Sequence, residues 1–118
     1  MTVVIPGVDG QKGLELYGGS LDIYLSILRT YTTFTPATLK RLRNVSAATL
    51  SDYVVAIHTL KGTCGSIGAE EARKKAVELE ELARAGDLAG LQAVNDAFLE
   101  RIDTLVANIN KWLAQNAP

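Results

Sequence analysis

The stretch LSDYVVAIHTLKGTCGSIG, residues 50–68, decides the fold class. Drawn as a helix at about 100° per residue, it gathers its apolar side chains on one arc, which must face a core. Those side chains are Tyr53, Ala56, Ile57, Leu60, Cys64 and Ile67. Gly68 follows the last of them and supplies a helix stop. The stretch therefore predicts an amphipathic helix over about residues 50–67.

Two helices are predicted before this stretch. A short helix over about residues 11–17 should end at Gly18-Gly19, and Ser20 can cap the next one. The apolar stripe of that second helix is expected to contain Tyr24, Ile27, Leu28, Tyr31 and Phe34. Pro36 should kink or restart the helix, which then runs to about residue 43.

Two further helices are predicted after it. The first should cover residues 69–85, with Gly86 as its stop and Asp87 as the cap of the next. Its inward residues are expected to be Ala72, Ala76, Leu79 and either Leu82 or Ala83. The last helix carries apolar residues at alternating spacings of three and four, the seam of a bundle helix. They are Leu91, Val94, Phe98, Ile102, Leu105, Ile109 and Leu113.

Short connections between long amphipathic helices force antiparallel neighbours. No sustained alternation of apolar and polar residues indicates a strand. We therefore predict an all-α fold, an antiparallel four-helix bundle with a short extra N-terminal helix. Residues 1–10, MTVVIPGVDG, are interpreted as a lead-in or linker, and residues 11–116 as a single domain.

The composition excludes several classes of protein. The chain has 118 residues, of which 47% are hydrophobic and 21% charged, as in one globular domain. With a net charge of −1 it offers no nucleic-acid footprint. No apolar run approaches the ~20 residues that span a bilayer, and the N-terminus lacks the order of a signal peptide. A cytoplasmic domain that contacts neither nucleic acid nor membrane is expected.

His58 is predicted to point away from the core. Lys61, Gly62 and Gly65 follow it by three, four and seven residues, so they share its face. A glycine inside a helix costs about 0.5–1 kcal/mol relative to alanine, so two in one helix need a reason. The two glycines leave part of this face without side chains, which would give a partner room to close over the imidazole.

The chemistry of this face points to a nucleophile. An ordinary imidazole is largely neutral near pH 7, and its free nitrogen can attack an acyl phosphate. Lys61 can offset the charge that develops on the phosphoryl oxygens. Val54 and Val55, one turn earlier, would supply apolar contact area for docking. Neither a metal site nor a Cys–His nucleophile is expected, because there is no second histidine and Cys64 points toward the core.

The residues HTLKGTCGSIGA, from His58 to Ala69, resemble the signature of histidine-containing phosphotransfer domains of bacterial two-component phosphorelays. The match is His, then Lys and Gly three and four positions later, then the apolar–Gly pair Ile67-Gly68. The flanking segments IPGVDGQKGLELYGGSLDIYLSILRTY and AEEARKKAVELEELARAGD are similar to parts of such domains in hybrid sensor kinases. Residues 36–50 depart from the pattern.

The resemblance implies a phosphoryl carrier without catalysis of its own. Because the bundle can satisfy its own core and its exposed apolar patch is small, the domain is expected to be a monomer. His58 would accept the group from a receiver-domain phosphoaspartate and pass it to another receiver. The receiver would bind Mg²⁺, and this domain would bind no cofactor. It would lie in the cytoplasm or be tethered to the inner membrane through a parent kinase. Two alternatives stay open: a chemotaxis-type substrate domain phosphorylated directly by an ATP-binding domain, and a receiver-binding module that no longer carries phosphate.

The resemblance also implies a partner for the imidazole. In the family a polar residue, often Gln or Glu, contacts the histidine from the next helix, and alignment from Gly68 brings Glu80 there. Glu80 would orient His58 and leave Nε2 as the phosphorylated atom. Arg84, four residues later, could pair with Glu80 or reach the phosphate. The alternative is that Glu80 and Arg84 form only a solvated pair worth about 0.2–0.5 kcal/mol.

Overall fold

The computed structural model describes residues 2–116, which form five α-helices and one 3₁₀ turn. Helices α1 to α5 cover Gly10–Leu16, Leu21–Leu42, Leu50–Ser66, Glu70–Arg84 and Leu88–Asn116, and the 3₁₀ turn Ala47–Thr49 precedes α3. No strand occurs between residues 2 and 116, so the all-α prediction is confirmed. Among residues 2–116, none of the helices combines the length and the hydrophobicity of a membrane-spanning segment.

The four long helices close into an antiparallel bundle. Helix α3 packs on α2 and α4, and α5 packs on the same two helices. Gly68 ends the turn after α3 at a φ of 81°, and Gly86 the turn after α4 at a φ of 70°, a backbone region that favours glycine. The predicted four-helix bundle with a short helix beside it is therefore confirmed.

The core is built as the α3 pattern predicted. All six apolar residues of that arc are buried, and so is Trp112 near the end of α5. One polar cluster crosses the core: the Tyr53 hydroxyl donates to Oδ1 of Asn95 at 2.7 Å, and Nδ2 of Asn95 donates to the Leu42 carbonyl at 2.8 Å. These bonds satisfy the buried amide and connect α5 to the C-terminus of α2 and to α3.

Helix α2 does not restart at Pro36, so the prediction of a break there was wrong. The helix runs unbroken from Leu21 to Leu42 with Pro36 inside it. Pro36 lies at the surface, while Thr35 and Leu39 on either side of it are buried. The packing of these neighbours outweighs the proline penalty, which is about 3 kcal/mol in a helix interior.

Two residues expected in the core lie at the surface. Phe34 is 66% exposed and Val94 is 42% exposed. Their places are taken by the residues that follow them, Thr35 and Asn95, which are buried. At these positions the buried side of the helix is shifted by one residue along the sequence. Contacts with the neighbouring helices outweigh the preference of a single apolar side chain for burial. The stripe predicted from hydrophobicity alone was wrong at these positions.

The N-terminal segment packs against the bundle, although it was interpreted as a lead-in or linker. Val3 and Ile5 are buried in the core. Two tyrosine hydroxyls and one backbone amide from the first 24 residues also donate hydrogen bonds to three consecutive carbonyls at the C-terminus of α3. The Tyr17 hydroxyl donates to Ser66 at 2.6 Å, the Tyr24 hydroxyl to Ile67 at 2.7 Å, and the Asp9 amide to Gly68 at 2.9 Å. These bonds satisfy orphan carbonyls and fix the end of α3.

Candidate functional site

His58 lies in the middle of α3 with its side chain facing solvent. Its side chain is 60% exposed, while Ala56, Ile57 and Leu60 around it are buried. The helical period alone separates these directions, because successive residues turn by about 100°. The predicted exposure of His58 is confirmed.

Glu80 meets the imidazole from the neighbouring helix. Its side chain is only 7% exposed, and Oε2 lies 2.9 Å from Nδ1 of His58. The contact follows from the α3–α4 hairpin, in which residues equally far from Ala69 face each other. His58 and Glu80 form one such pair, and Gly65 and Arg73 form another. The expected contact between Glu80 and the ring is therefore present.

The same carboxylate holds two cations. Nζ of Lys61 lies 2.7 Å from Oε1 of Glu80. Arg84 donates to Oε2 through Nε at 3.0 Å and Nη2 at 2.8 Å. Lys61 is half-buried and Arg84 is exposed. Glu80 thus accepts from three side chains, and its pair with Arg84 is not merely a solvated one.

These contacts fix the charge state of Glu80. Burial raises its pKa, but hydrogen bonds from Lys61, Arg84 and His58 outweigh burial and lower the pKa to about 2. The group is therefore ionised near neutral pH and can only accept hydrogen bonds. Nδ1 of His58 must then carry the proton it shares with Glu80. In the neutral ring Nε2 keeps its lone pair.

The two glycines of the His58 face have different surroundings. A Cβ added at Gly62 would find no neighbouring atom within 4 Å, so the surface there is open. A Cβ at Gly65 would lie 3.3 Å from Cδ of Arg73, whose guanidinium is held by Glu70 through Nε at 3.0 Å. Gly65 was expected to leave the surface beside His58 open, but the aliphatic part of the Arg73 side chain covers it. Gly62 alone of this pair leaves room beside the imidazole.

The two valines also differ. Val55 is 56% exposed on the outer face of α3. Val54 is half-buried against the core and lines a shallow depression with Ala83 and Arg84. Both were expected to be exposed, and this holds fully only for Val55. Val54 turns partly inward because it faces the α3–α4 interface.

Cys64 cannot assist His58. It is completely buried on the core side of α3, with its Sγ 3.5 Å from the Tyr31 hydroxyl. Burial raises the pKa of the thiol to about 11, so the thiolate is scarce near neutral pH. In the described part of the chain, no group of three or more His, Cys, Asp and Glu side chains could hold a metal ion.

The ion pair between Lys61 and Glu80 was missed at the sequence level, where Lys61 was assigned only to the phosphoryl group. The spacing of Glu80 and Arg84 is visible in the sequence, whereas Lys61 and Glu80 meet across two helices. The hairpin register about Ala69 is the signal that could have revealed the contact.

A helical bundle with one solvent-facing histidine, held by a buried carboxylate and flanked by a lysine, defines the class of protein. The family model of the Hpt domain matches residues 26–112, which include α3, α4 and most of α2 and α5. No curated protein and no solved structure gave a significant match. The chain belongs to the Hpt domain family and is a histidine phosphotransfer module of phosphorelays.

Proposed function

We propose that His58 accepts a phosphoryl group from the phosphoaspartate of one receiver domain and passes it to a second receiver. The observation that carries the proposal is the exposed imidazole whose Nδ1 is held by the buried carboxylate of Glu80. This contact fixes the ring and its tautomer, and it leaves Nε2 as the nitrogen with a free lone pair.

The transfer step follows from this arrangement. The Nε2 lone pair attacks phosphorus, a nitrogen–phosphorus bond forms, and the bond between phosphorus and the aspartate oxygen breaks. The carboxylate leaves with the electron pair. Nδ1 keeps its proton, and the phosphorylated ring carries positive charge that the Glu80 carboxylate stabilises. The reverse step, with the second receiver's aspartate as nucleophile, restores the neutral imidazole.

We assign Lys61 and Arg84 to the stabilisation of the phosphoryl group. Both cations already lie at the carboxylate that contacts the ring, and their long side chains rotate easily. In the proposed reaction Lys61 offsets the charge on the phosphoryl oxygens, and Arg84 assists it. The receiver supplies Mg²⁺ and the phosphoaspartate, so this domain needs no cofactor of its own.

The partner must cover His58 to bring its phosphoaspartate in line. Gly62 supports this approach because nothing projects from the helix there. Val55 adds exposed apolar area one turn before the histidine. We place the module in the cytoplasm, where it serves a hybrid sensor kinase or a separate response regulator.

A single set of incubations tests the proposal. The protein is mixed with phosphorylated receiver domains, and separately with ATP and histidine-kinase catalytic domains, and acid-labile phosphate on it is measured. We expect uptake from receivers, with His58→Gln as the inactive control. Uptake from kinase domains alone would favour the chemotaxis-type substrate role. Receiver binding without any uptake would favour a module that no longer carries phosphate.

A further inference from the structure

The turn between α3 and α4 sets which residues of the two helices meet. The helices form a hairpin about Ala69, so Glu80 reaches His58 in one register only. A shift of α4 by one residue along α3 would move its side chains by about 1.5 Å and turn them by about 100°. The 2.9 Å contact between Oε2 of Glu80 and Nδ1 of His58 does not survive such a shift.

The packing of α4 by itself specifies this register weakly. The buried residues of α4 are Ala76, Leu79, Glu80 and Ala83. Two of these four are alanines, which bury little apolar area and make few contacts. A shifted register would therefore lose little contact energy. It follows that the conformation of the turn contributes much of the register.

Three donors that precede the hairpin hold this turn. The hydroxyl groups of Tyr17 and Tyr24 and the backbone amide of Asp9 donate to the carbonyls of residues 66, 67 and 68. We call these three donors the turn clamp. The match to the family model begins at residue 26, so it includes the turn but none of the donors.

The turn clamp lies tightly against the turn. A Cβ added at Gly68 would lie 2.6 Å from the carbonyl oxygen of Asp9, so the two backbones are in close contact. The rings of Tyr17 and Tyr24 stack with their centroids 6.2 Å apart, and Tyr24 is fully buried. Burial raises the pKa of Tyr24 to about 12, so its hydroxyl keeps its proton and stays a donor near neutral pH. These contacts leave the turn little freedom to change its path.

We infer that Tyr17 and Tyr24 are positioning residues for phosphoryl transfer. Their hydroxyl groups hold the end of α3, so α4 leaves the turn in the register that brings Glu80 to Nδ1 of His58. The accepting carbonyls lie eight and nine residues after His58, so the tyrosines act through the turn and not by contact with the imidazole. This inference rests on the proposed function, because it assigns both tyrosines to the reaction at His58.

A double variant, Tyr17→Phe with Tyr24→Phe, tests this role because it removes both hydroxyl groups and keeps the rings. The receiver that phosphorylates the wild-type protein fastest in a panel serves as the probe. We expect single-turnover transfer to slow by about tenfold, because small misplacements near reacting groups are costly. Nitrogen NMR of the neutral ring gives a second readout. The fraction of His58 that carries its proton on Nδ1 should fall, because Glu80 no longer fixes the tautomer.

Tyr53→Phe is the matched control. It also removes a buried tyrosine hydroxyl, whose bond to Oδ1 of Asn95 is 2.7 Å long, but this bond joins α3 to α5. Urea unfolding should show that the control loses stability, as the double variant does. Its transfer rate should stay within about twofold of wild type, because the α3–α4 register does not depend on this bond. Its His58 tautomer should be that of wild type. All measurements are made where each protein is folded.

A double variant that loses stability but keeps the wild-type transfer rate and tautomer would overturn the inference and leave the proposed function standing. If the double variant does not fold, Tyr17→Phe alone is used, because Tyr17 is half-buried and loses one bond of the turn clamp. The expected slowing is then about threefold, and an unchanged rate and tautomer would again overturn the inference.

Failure of the proposed function gives a different result. Absence of transfer from every receiver to the wild-type protein would overturn the proposed function. The tautomer of His58 needs no receiver, so it still tests the turn clamp. A tautomer that changes in the double variant and not in Tyr53→Phe would support the register role. An unchanged tautomer would overturn the inference as well.

Discussion

Oε2 of Glu80 lies 2.9 Å from Nδ1 of His58, although 22 residues separate the two along the chain. The same carboxylate accepts from Lys61 and Arg84, so one buried anion gathers three donors. Before transfer Lys61 and Arg84 both pair with the Glu80 carboxylate. After transfer the phosphoryl oxygens compete for them, while the charged ring still needs Glu80 at Nδ1. We therefore expect the cations to move and the carboxylate to stay.

Replacement of Glu80 by glutamine tests its role as a positioning residue. Glu80→Gln keeps the size of the side chain but loses the charge that fixes the tautomer and stabilises the phosphorylated ring. Loss of such a partner of a reacting histidine costs about 10- to 100-fold or more, so we expect single-turnover transfer from a receiver to slow by at least tenfold. Glu81→Gln, at an exposed neighbouring position, is the control. Equal rates in both variants would remove Glu80 from the mechanism.

The low pKa of Glu80 predicts a pH dependence of stability. Its pKa is about 2 in the folded protein against an ordinary 4.5, so the unfolded chain takes up this proton first as the pH falls. The stabilisation is complete above pH 4.5 and is lost as the pH falls toward 2. Urea unfolding should show the difference between wild type and Glu80→Gln shrinking across this window. A difference independent of pH would contradict the assignment.

Gly62 offers a test of access to His58. Gly62→Leu should retain or raise helix content, because glycine is the poorer helix former by up to about 1 kcal/mol. Its side chain would project from the open surface beside the imidazole, so transfer should slow by about 10- to 100-fold. Gly62→Ala is the matched control, since it gains the same propensity with little obstruction. Similar transfer rates for the leucine and alanine variants would show that the open surface has no role in access.

Pro36 predicts a gain in stability on replacement. It interrupts the hydrogen bonds inside α2, and Pro36→Ala should raise the free energy of unfolding by about 1–3 kcal/mol. The control is Pro6→Ala in the N-terminal turn, where proline suits the backbone and no gain is expected. Urea unfolding measures both. An unchanged midpoint for Pro36→Ala would mean that neighbouring groups already compensate for the missing donor.

Helical periodicity was sufficient for α3, where it separated the buried arc from the solvent-facing His58. It was insufficient for Phe34 and Val94, because an apolar side chain at the margin of a stripe can face either way, and packing with other helices decides. The predicted restart of α2 at Pro36 failed for a related reason. The local preference of proline to break the helix is outweighed by the packing of the buried residues around it.

The site was only partly visible in the sequence. The resemblance placed Glu80 near His58, but its burial and its contact with Lys61 depend on how closely α4 approaches α3. Gly65 illustrates the same limit, because its open appearance on a single helix disappears once the Arg73 stem lies over it. Properties of one helix could be predicted, whereas properties shared by two helices required their register.

Identification of the phosphorylated atom tests the role of His58 most directly. The chain has one histidine, so every imidazole signal in a nitrogen-labelled sample belongs to His58. After incubation with a phosphorylated receiver, heteronuclear NMR should show phosphorus coupled to Nε2, while Nδ1 keeps its proton. His58→Gln should stay folded and take up no acid-labile phosphate. Phosphate on Nδ1, or on a residue other than His58, would contradict the proposed mechanism.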